Sequence, residues 1–201
     1  MKTLRVAQRN PSAILNAMKR EPTNHNVILI GFMGSGKTTL GQELAPRLDF
    51  AFIDTDNLVV SQAGKPIPKI FADHGEEHFR DLESRALSSL IQESSKVIAT
   101  GGGIVLRPEN RALLRKIGFT VWLDASEDTI FDRVSRNTER PLLHTDNQRE
   151  TIARLLTQRR PLYQESADLM VPTNDLDLGE IIHGIADSAR VFFSQSGNAA
   201  T

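Results

Sequence analysis

Apolar positions along the chain fall into two alternating periods. Short runs in which nearly every residue is apolar or β-branched occur at 27–30 (VILI), 50–53 (FAFI), 96–100 (KVIAT), 120–123 (TVWL) and 168–171 (DLMV), and each is a predicted strand. Elsewhere the apolar residues recur every three or four positions. Phe79, Leu82, Ala86, Leu87, Leu90 and Ile91 share one helical face, and Ile181, Ile182, Ile185 and Ala189 mark a second helix running from 181 to 193. Continuous apolar strands separated by helices predict a five-stranded parallel sheet covered on both faces, a three-layer α/β domain. There is no internal repeat and no low-complexity block.

The two ends break this pattern. Lys2, Arg5, Arg9, Lys19 and Arg20 precede the first acid, and Pro11 and Pro22 interrupt a weak apolar rhythm. Residues 1–26 are expected to be a flexible extension, in preference to an organelle transit peptide; a secretory signal would need a longer apolar centre. Residues 194–201 form a small, polar tail expected to fray. The folded domain is thus expected over 27–193.

Composition narrows the class further. A length of 201 residues, 39% of them apolar, suits one domain with a substantial core. The net charge of −1 argues against broad electrostatic binding to nucleic acid or anionic membrane, and no apolar run has transmembrane length. The absence of cysteine removes disulfides and thiolate metal sites and suits a reducing cytoplasm. The five histidines form no H-E-x-x-H pattern, which argues against zinc. A monomer is the default expectation.

The chemistry begins where the first strand ends. Gly31, Gly36, Lys37 and Thr38 satisfy G-x-x-x-x-G-K-[ST], between a predicted strand and a predicted helix. Glycines in such a loop let backbone N–H groups face phosphate oxygens, and the helix that follows adds its positive end. Lys37 would reach the β- and γ-phosphates of a nucleoside triphosphate and the Thr38 hydroxyl would bind Mg²⁺. Guanine recognition by N-K-x-D is missing, and so is the apolar strand ending in Asp-Glu usual in ATPases that activate water. After the second predicted strand come Asp54 and Asp56, two apart and so aimed the same way. One carboxylate could serve the Mg²⁺ shell and the other accept a hydroxyl proton, although turn-forming or helix-capping aspartates are commoner in general.

Six blocks in order, GFMGSGKTTLG, FIDTD, IFADHGEEHFRDLE, ATGGGIV, RNTERPLL and QRRPLY, resemble shikimate kinase across about residues 27–190. The resemblance implies a P-loop kinase sheet of order 2-3-1-4-5 with a mobile lid. It also implies transfer of a phosphoryl group from ATP to the 3-hydroxyl of shikimate. ATP would contact Gly34, Ser35, Gly36, Lys37, Thr38, Thr39 and the lid residue Arg140. Asp54 would join Thr38 in the Mg²⁺ shell, and Asp56 would orient the 3-hydroxyl and help remove its proton. Arg80 and Arg159 would hold the shikimate carboxylate, Gly101, Gly102 and Gly103 would touch the substrate, and Phe71 and Phe79 would wall the pocket. Lys37, Asp56 and Arg140 would carry the catalysis.

Some assignments stay open. Arg80 also stands four and three residues from Glu76 and Glu83, the spacing of an ordinary surface ion pair. Arg133 and Arg136 fit either nucleotide contacts or solvated charges, and Arg160 is expected in solvent. Asn174 and Asp175 stand where some relatives carry a basic residue near adenine, so the adenine contacts are unassigned; Asp177 with Glu180 resembles a helix start. A kinase for another small polyol such as gluconate, and a binding module without turnover, remain rival readings.

Overall fold

A computed structural model of the chain describes residues 24–135, 147–174 and 177–197. Strands β1 (Asn26–Ile30), β2 (Ala51–Asp54), β3 (Lys96–Ala99), β4 (Phe119–Asp124) and β5 (Leu169–Pro172) alternate with helices α1 (Lys37–Leu48), α2 (Thr55–Ala63), α3 (Ile67–Ser89), α4 (Pro108–Ile117), α5 (Glu127–Val134), α6 (Gln148–Ser166) and α7 (Leu178–Gly197). The strands form one parallel sheet in the expected order, β2-β3-β1-β4-β5.

β1 lies at the centre, and all five of its residues are buried. Its side chains alternate between two cores, as the strand period of two requires. Val27 and Leu29 pack with Leu40 and Leu44 of α1 and with Ile185 and Ala189 of α7. Ile28 and Ile30 face the other way, among Leu87, Leu114, Trp122 and Tyr163. Burial on both faces explains why the run shows no polar alternation. Truncating a residue such as Leu29 would leave a cavity and cost about 2–5 kcal/mol.

The strands differ from the expected spans by a residue or two, for identifiable reasons. β1 begins at Asn26 because that polar side chain is fully satisfied inside the protein. Its amide donates to the carbonyls of Glu93 (2.6 Å) and Ile117 (3.0 Å), and its oxygen accepts from the Lys96 amide (3.0 Å). β2 reaches Asp54, which pairs with Ala99 and then caps α2: its Oδ1 accepts from the Asp56 amide at 2.9 Å. α3 is broken at Gly75, whose φ of 80° a side chain would resist. The break turns the first two turns of α3 back, so that Phe71 meets Phe79 with ring centroids 4.8 Å apart. Asp177 starts α7 as expected, its Oδ1 accepting from the Gly179 amide at 2.8 Å.

Every strand points its carboxyl end to the same edge of the sheet. The loops after Ile30, Asp54 and Ala99 therefore meet at one crevice, the place where open parallel sheets bind ligands.

Candidate active site

Two cavities open at this edge, of about 470 and 530 Å³, and both are lined by Met33, Thr38, Asp54, Asp56 and Gly102. Residues 33–40 line the larger one. Gly31 allows its loop to press on β4, since a Cβ there would lie 2.6 Å from the Leu123 carbonyl oxygen. α1 starts at Lys37 with no side-chain cap and no acid in its first turn, leaving its amide dipoles open to an anion. Lys37 Nζ donates to the carbonyls of Gly31 (2.9 Å) and Phe32 (2.8 Å), which holds the loop closed around the lysine. Gly34, Ser35, Gly36, Thr38 and Thr39 line the same cavity. Arg133 of α5, left open by the sequence, donates to the Gly34 carbonyl at 3.0 Å and lines this cavity too. Arg136, Arg140 and the rest of the expected lid lie outside the described residues.

Asp54 takes the helix-capping role weighed for it and also meets the phosphate loop. While Oδ1 caps α2, Oδ2 accepts from the Thr38 hydroxyl at 2.9 Å, so a hydroxyl and a carboxylate oxygen stand together beside the loop. Asp56, in the first turn of α2, faces the region common to both cavities.

The smaller cavity is lined by both charged and apolar side chains. Phe71 and Phe79 contribute to its wall, and so do Arg80 and Arg159. Arg80 is only 6% exposed, which removes the surface reading of its ion pairs. Both pairs nevertheless form: Nη2 meets Glu76 at 2.8 Å, and Nη1 meets Glu83, whose side chain is 1% exposed. Burial raises the Glu83 carboxyl above its ordinary value, with Arg80 opposing and Asp56 reinforcing the rise. We assign the proton equilibrium of this pair to Glu83, because a guanidinium stays charged.

The three glycines after β3 are each required by a different neighbour. A Cβ on Gly101 would strike Glu83 Oε1 and stand 2.9 Å from Asp56 Oδ1. On Gly102 it would stand 3.0 Å from the Met33 amide nitrogen, and on Gly103 it would overlap the Arg80 guanidinium. The triplet thus lets two carboxylates, the phosphate loop and an arginine converge on one segment. Its carbonyls are all engaged. Gly101 O accepts from Ile104 N, Gly103 O from Leu106 N, and Gly102 O from Arg159 Nη1 (3.2 Å) and the Tyr163 hydroxyl (2.5 Å). The Gly101 amide donates to Thr55 Oγ1 at 3.2 Å, whereas among the described residues nothing accepts from the amides of Gly102 and Gly103.

Arg159 is 4% exposed and sits over the Phe32 ring, 5.5 Å from its centroid. Its neighbour Arg160 is half exposed as expected, tied at 3.1 Å to Asp124 at the end of β4. Three contributors had no sequence role: Thr55, Tyr163 and, except as an ion-pair partner of Arg80, Glu83. Only Glu83 carried a signal, its three-residue spacing from Arg80.

A phosphate loop feeding a second, cation-lined cavity across paired aspartates defines a P-loop kinase of small molecules. Residues 33–190 match the family model for shikimate kinase. A shikimate kinase from Rhodopseudomonas palustris is 46% identical over 156 residues, covering 78% of this chain and 76% of that protein. The solved shikimate kinase from Acinetobacter baumannii in complex with shikimate superposes with a TM-score of 0.78 at 36% identity, over 84% of this chain and 94% of that one. A gluconokinase from Sinorhizobium meliloti shares the fold alone, with a TM-score of 0.51 at 19% identity over 88% of this chain and 99% of that one. The chain belongs to the shikimate kinase family.

Proposed function

We propose that this chain transfers the γ-phosphoryl group of ATP to the 3-hydroxyl of shikimate, giving shikimate 3-phosphate and ADP. The observation that carries the acceptor assignment is the pair of buried arginines, Arg80 and Arg159, that line one cavity with Gly102 and Gly103. A planar guanidinium donates two parallel hydrogen bonds to a carboxylate, and desolvation strengthens the attraction. Phe71 and Phe79 suit the hydrocarbon face of a ring. An acyclic polyol acid such as gluconate would satisfy the arginines and waste that apolar wall.

Transfer follows from the common floor of the two cavities. ATP lies along residues 34–39, its phosphates on the amides that open α1, with Lys37 turning from loop carbonyls to the β- and γ-phosphates. The donor set formed by the Thr38 hydroxyl and the Asp54 carboxylate is hard oxygen, which suits Mg²⁺; these two residues would hold the ion, which would supply positive charge against the phosphates. Asp56 orients the acceptor hydroxyl in line and takes its proton as the oxygen–phosphorus bond forms. Because the transition state is largely dissociative, positioning outweighs basicity. Arg140 enters only through the family resemblance, as the cation that neutralises the transferring group. We further place the protein in the cytoplasm as a monomer, acting on small molecules rather than nucleic acid or membrane.

Phosphorus NMR of the product tests the acceptor position directly. A single phosphomonoester coupled to the proton on shikimate carbon 3 supports the proposal; a phosphorylated 4- or 5-hydroxyl, or product only from gluconate, refutes it.

A further inference from the structure

We infer that Tyr163 is a positioning residue for substrate, acting through the carbonyl of Gly102 on the glycine wall of the acceptor cavity; the inference rests on the shikimate-kinase reading of that cavity.

Tyr163 is completely buried, and its ring stacks on Trp122 of β4 with centroids 5.9 Å apart. It sits in an apolar cluster with Ile30, Leu87, Ile98 and Ile104. For that packing a phenylalanine would serve, and without the penalty of burying a hydroxyl. The hydroxyl instead donates to Gly102 O at 2.5 Å. Arg159, one helical turn earlier on α6, donates to the same oxygen at 3.2 Å, so both lone pairs of that carbonyl are held by one helix. Burial also raises the phenol well above its ordinary range, Arg159 opposing, which keeps it a donor wherever the enzyme works.

The consequence lies on the other side of the peptide. The C=O of Gly102 and the N–H of Gly103 belong to one rigid plane and point in opposite directions. Fixing the oxygen on α6 therefore fixes the Gly103 amide, one of the two loop donors without a protein acceptor among the described residues. Three successive glycines have no side chains to restrain their own rotation, and while Ile104 N and Leu106 N hold the carbonyls of Gly101 and Gly103, the restraint on the Gly102 carbonyl comes from outside the loop. Tyr163 supplies it and links the wall to the rigid core at Trp122.

The test is Tyr163→Phe in the full chain, which keeps the ring and deletes the hydroxyl. KM for shikimate should rise about five- to tenfold, the loss of one hydrogen bond, while KM for ATP stays within about twofold. In the unliganded protein, exchange of the Ile104 amide, which closes the glycine turn onto Gly101 O, should accelerate about tenfold with β4 amides unchanged. Wild-type protein offers a check that needs no variant, a slowly exchanging phenolic proton on Tyr163. Unchanged KM for shikimate with unchanged exchange overturns the inference, as does an equal rise in both KM values with a lowered Tm, the mark of a residue that only packs. The exchange measurements stand even if wild-type enzyme ignores shikimate, so failure of the functional reading is distinguishable from failure of this one.

Discussion

The α-carbon of Gly103 lies against the guanidinium of Arg80, and a Cβ there would come within 2.5 Å of Arg80 Cζ. The arginine is the movable partner, so Gly103→Ala should push it out of register and leave the backbone intact. We expect KM for shikimate to rise about tenfold or more, the loss of at least one charge-assisted hydrogen bond, with ATP affinity unchanged. Gly118→Ala is the contrasting case. Its Cβ would strike the Asn26 backbone, 2.9 Å from the carbonyl carbon, and neither chain segment can swing aside. That variant should lose stability, read as a lowered midpoint in urea, with shikimate KM unchanged in the protein that folds.

Arg80 and Glu83 are both buried, so removing one strands the other. Arg80→Met should cost about 3 kcal/mol by urea denaturation, because Glu83 loses its counter-charge. The double variant Arg80→Met with Glu83→Leu should recover most of that stability and none of the shikimate binding. Titration calorimetry beside the denaturation curves separates the two effects.

The raised Glu83 carboxyl makes a signed pH prediction. Between its ordinary value near 4.5 and its higher folded value, the folded state binds more protons than the unfolded chain. Stability from this group is therefore complete below pH 4.5 and is lost as pH rises through the folded value. Glu83→Gln should remove this downward component, so the difference in unfolding free energy between variant and wild type should change across that interval. A difference that is flat from pH 4.5 upward would contradict the assignment.

Asp54 binds α2 and Thr38 with separate oxygens, so Asp54→Asn should affect the metal more than the fold. An amide oxygen still caps the helix, at a cost of a few tenths of a kcal/mol, about what separates good caps. The Mg²⁺ concentration for half-maximal ADP release should rise about tenfold, with the Tm nearly unchanged.

Local signals made part of this site legible from sequence alone. Gly31, Gly36, Lys37 and Thr38 lie within eight residues, and a strand before them with a helix after them completes the phosphate site. Asp54 and Asp56 were legible from their place after the second strand, but the strand period does not aim them: β2 ends at Asp54, and Asp56 reaches the crevice from the first turn of α2. The remainder depends on contacts between distant segments. Asn26 looks like a loop residue until Glu93, Lys96 and Ile117 are brought around it. The role of Tyr163 depends on Gly102, 61 positions away, and hydrophobic patterning records only its ring. The protein groups that stand against each of the three glycines also come from distant segments, so the sequence does not show why glycine is needed at each position. The kink at Gly75 escaped the helical pattern because a glycine alone does not distinguish a break from a tolerated helical position.

The central claim is that ATP, Asp56 and a carboxylate held by two arginines meet at one acceptor hydroxyl. Coupled ADP release with Mg²⁺-ATP, comparing shikimate, gluconate and no acceptor, tests it most directly when Asp56→Asn runs beside the wild type. The account predicts release that requires shikimate and falls by about a hundredfold or more in the variant, the usual size of a general-base contribution. Folded wild-type protein that binds ATP but releases no ADP with shikimate, or turns over gluconate in its place, would contradict it.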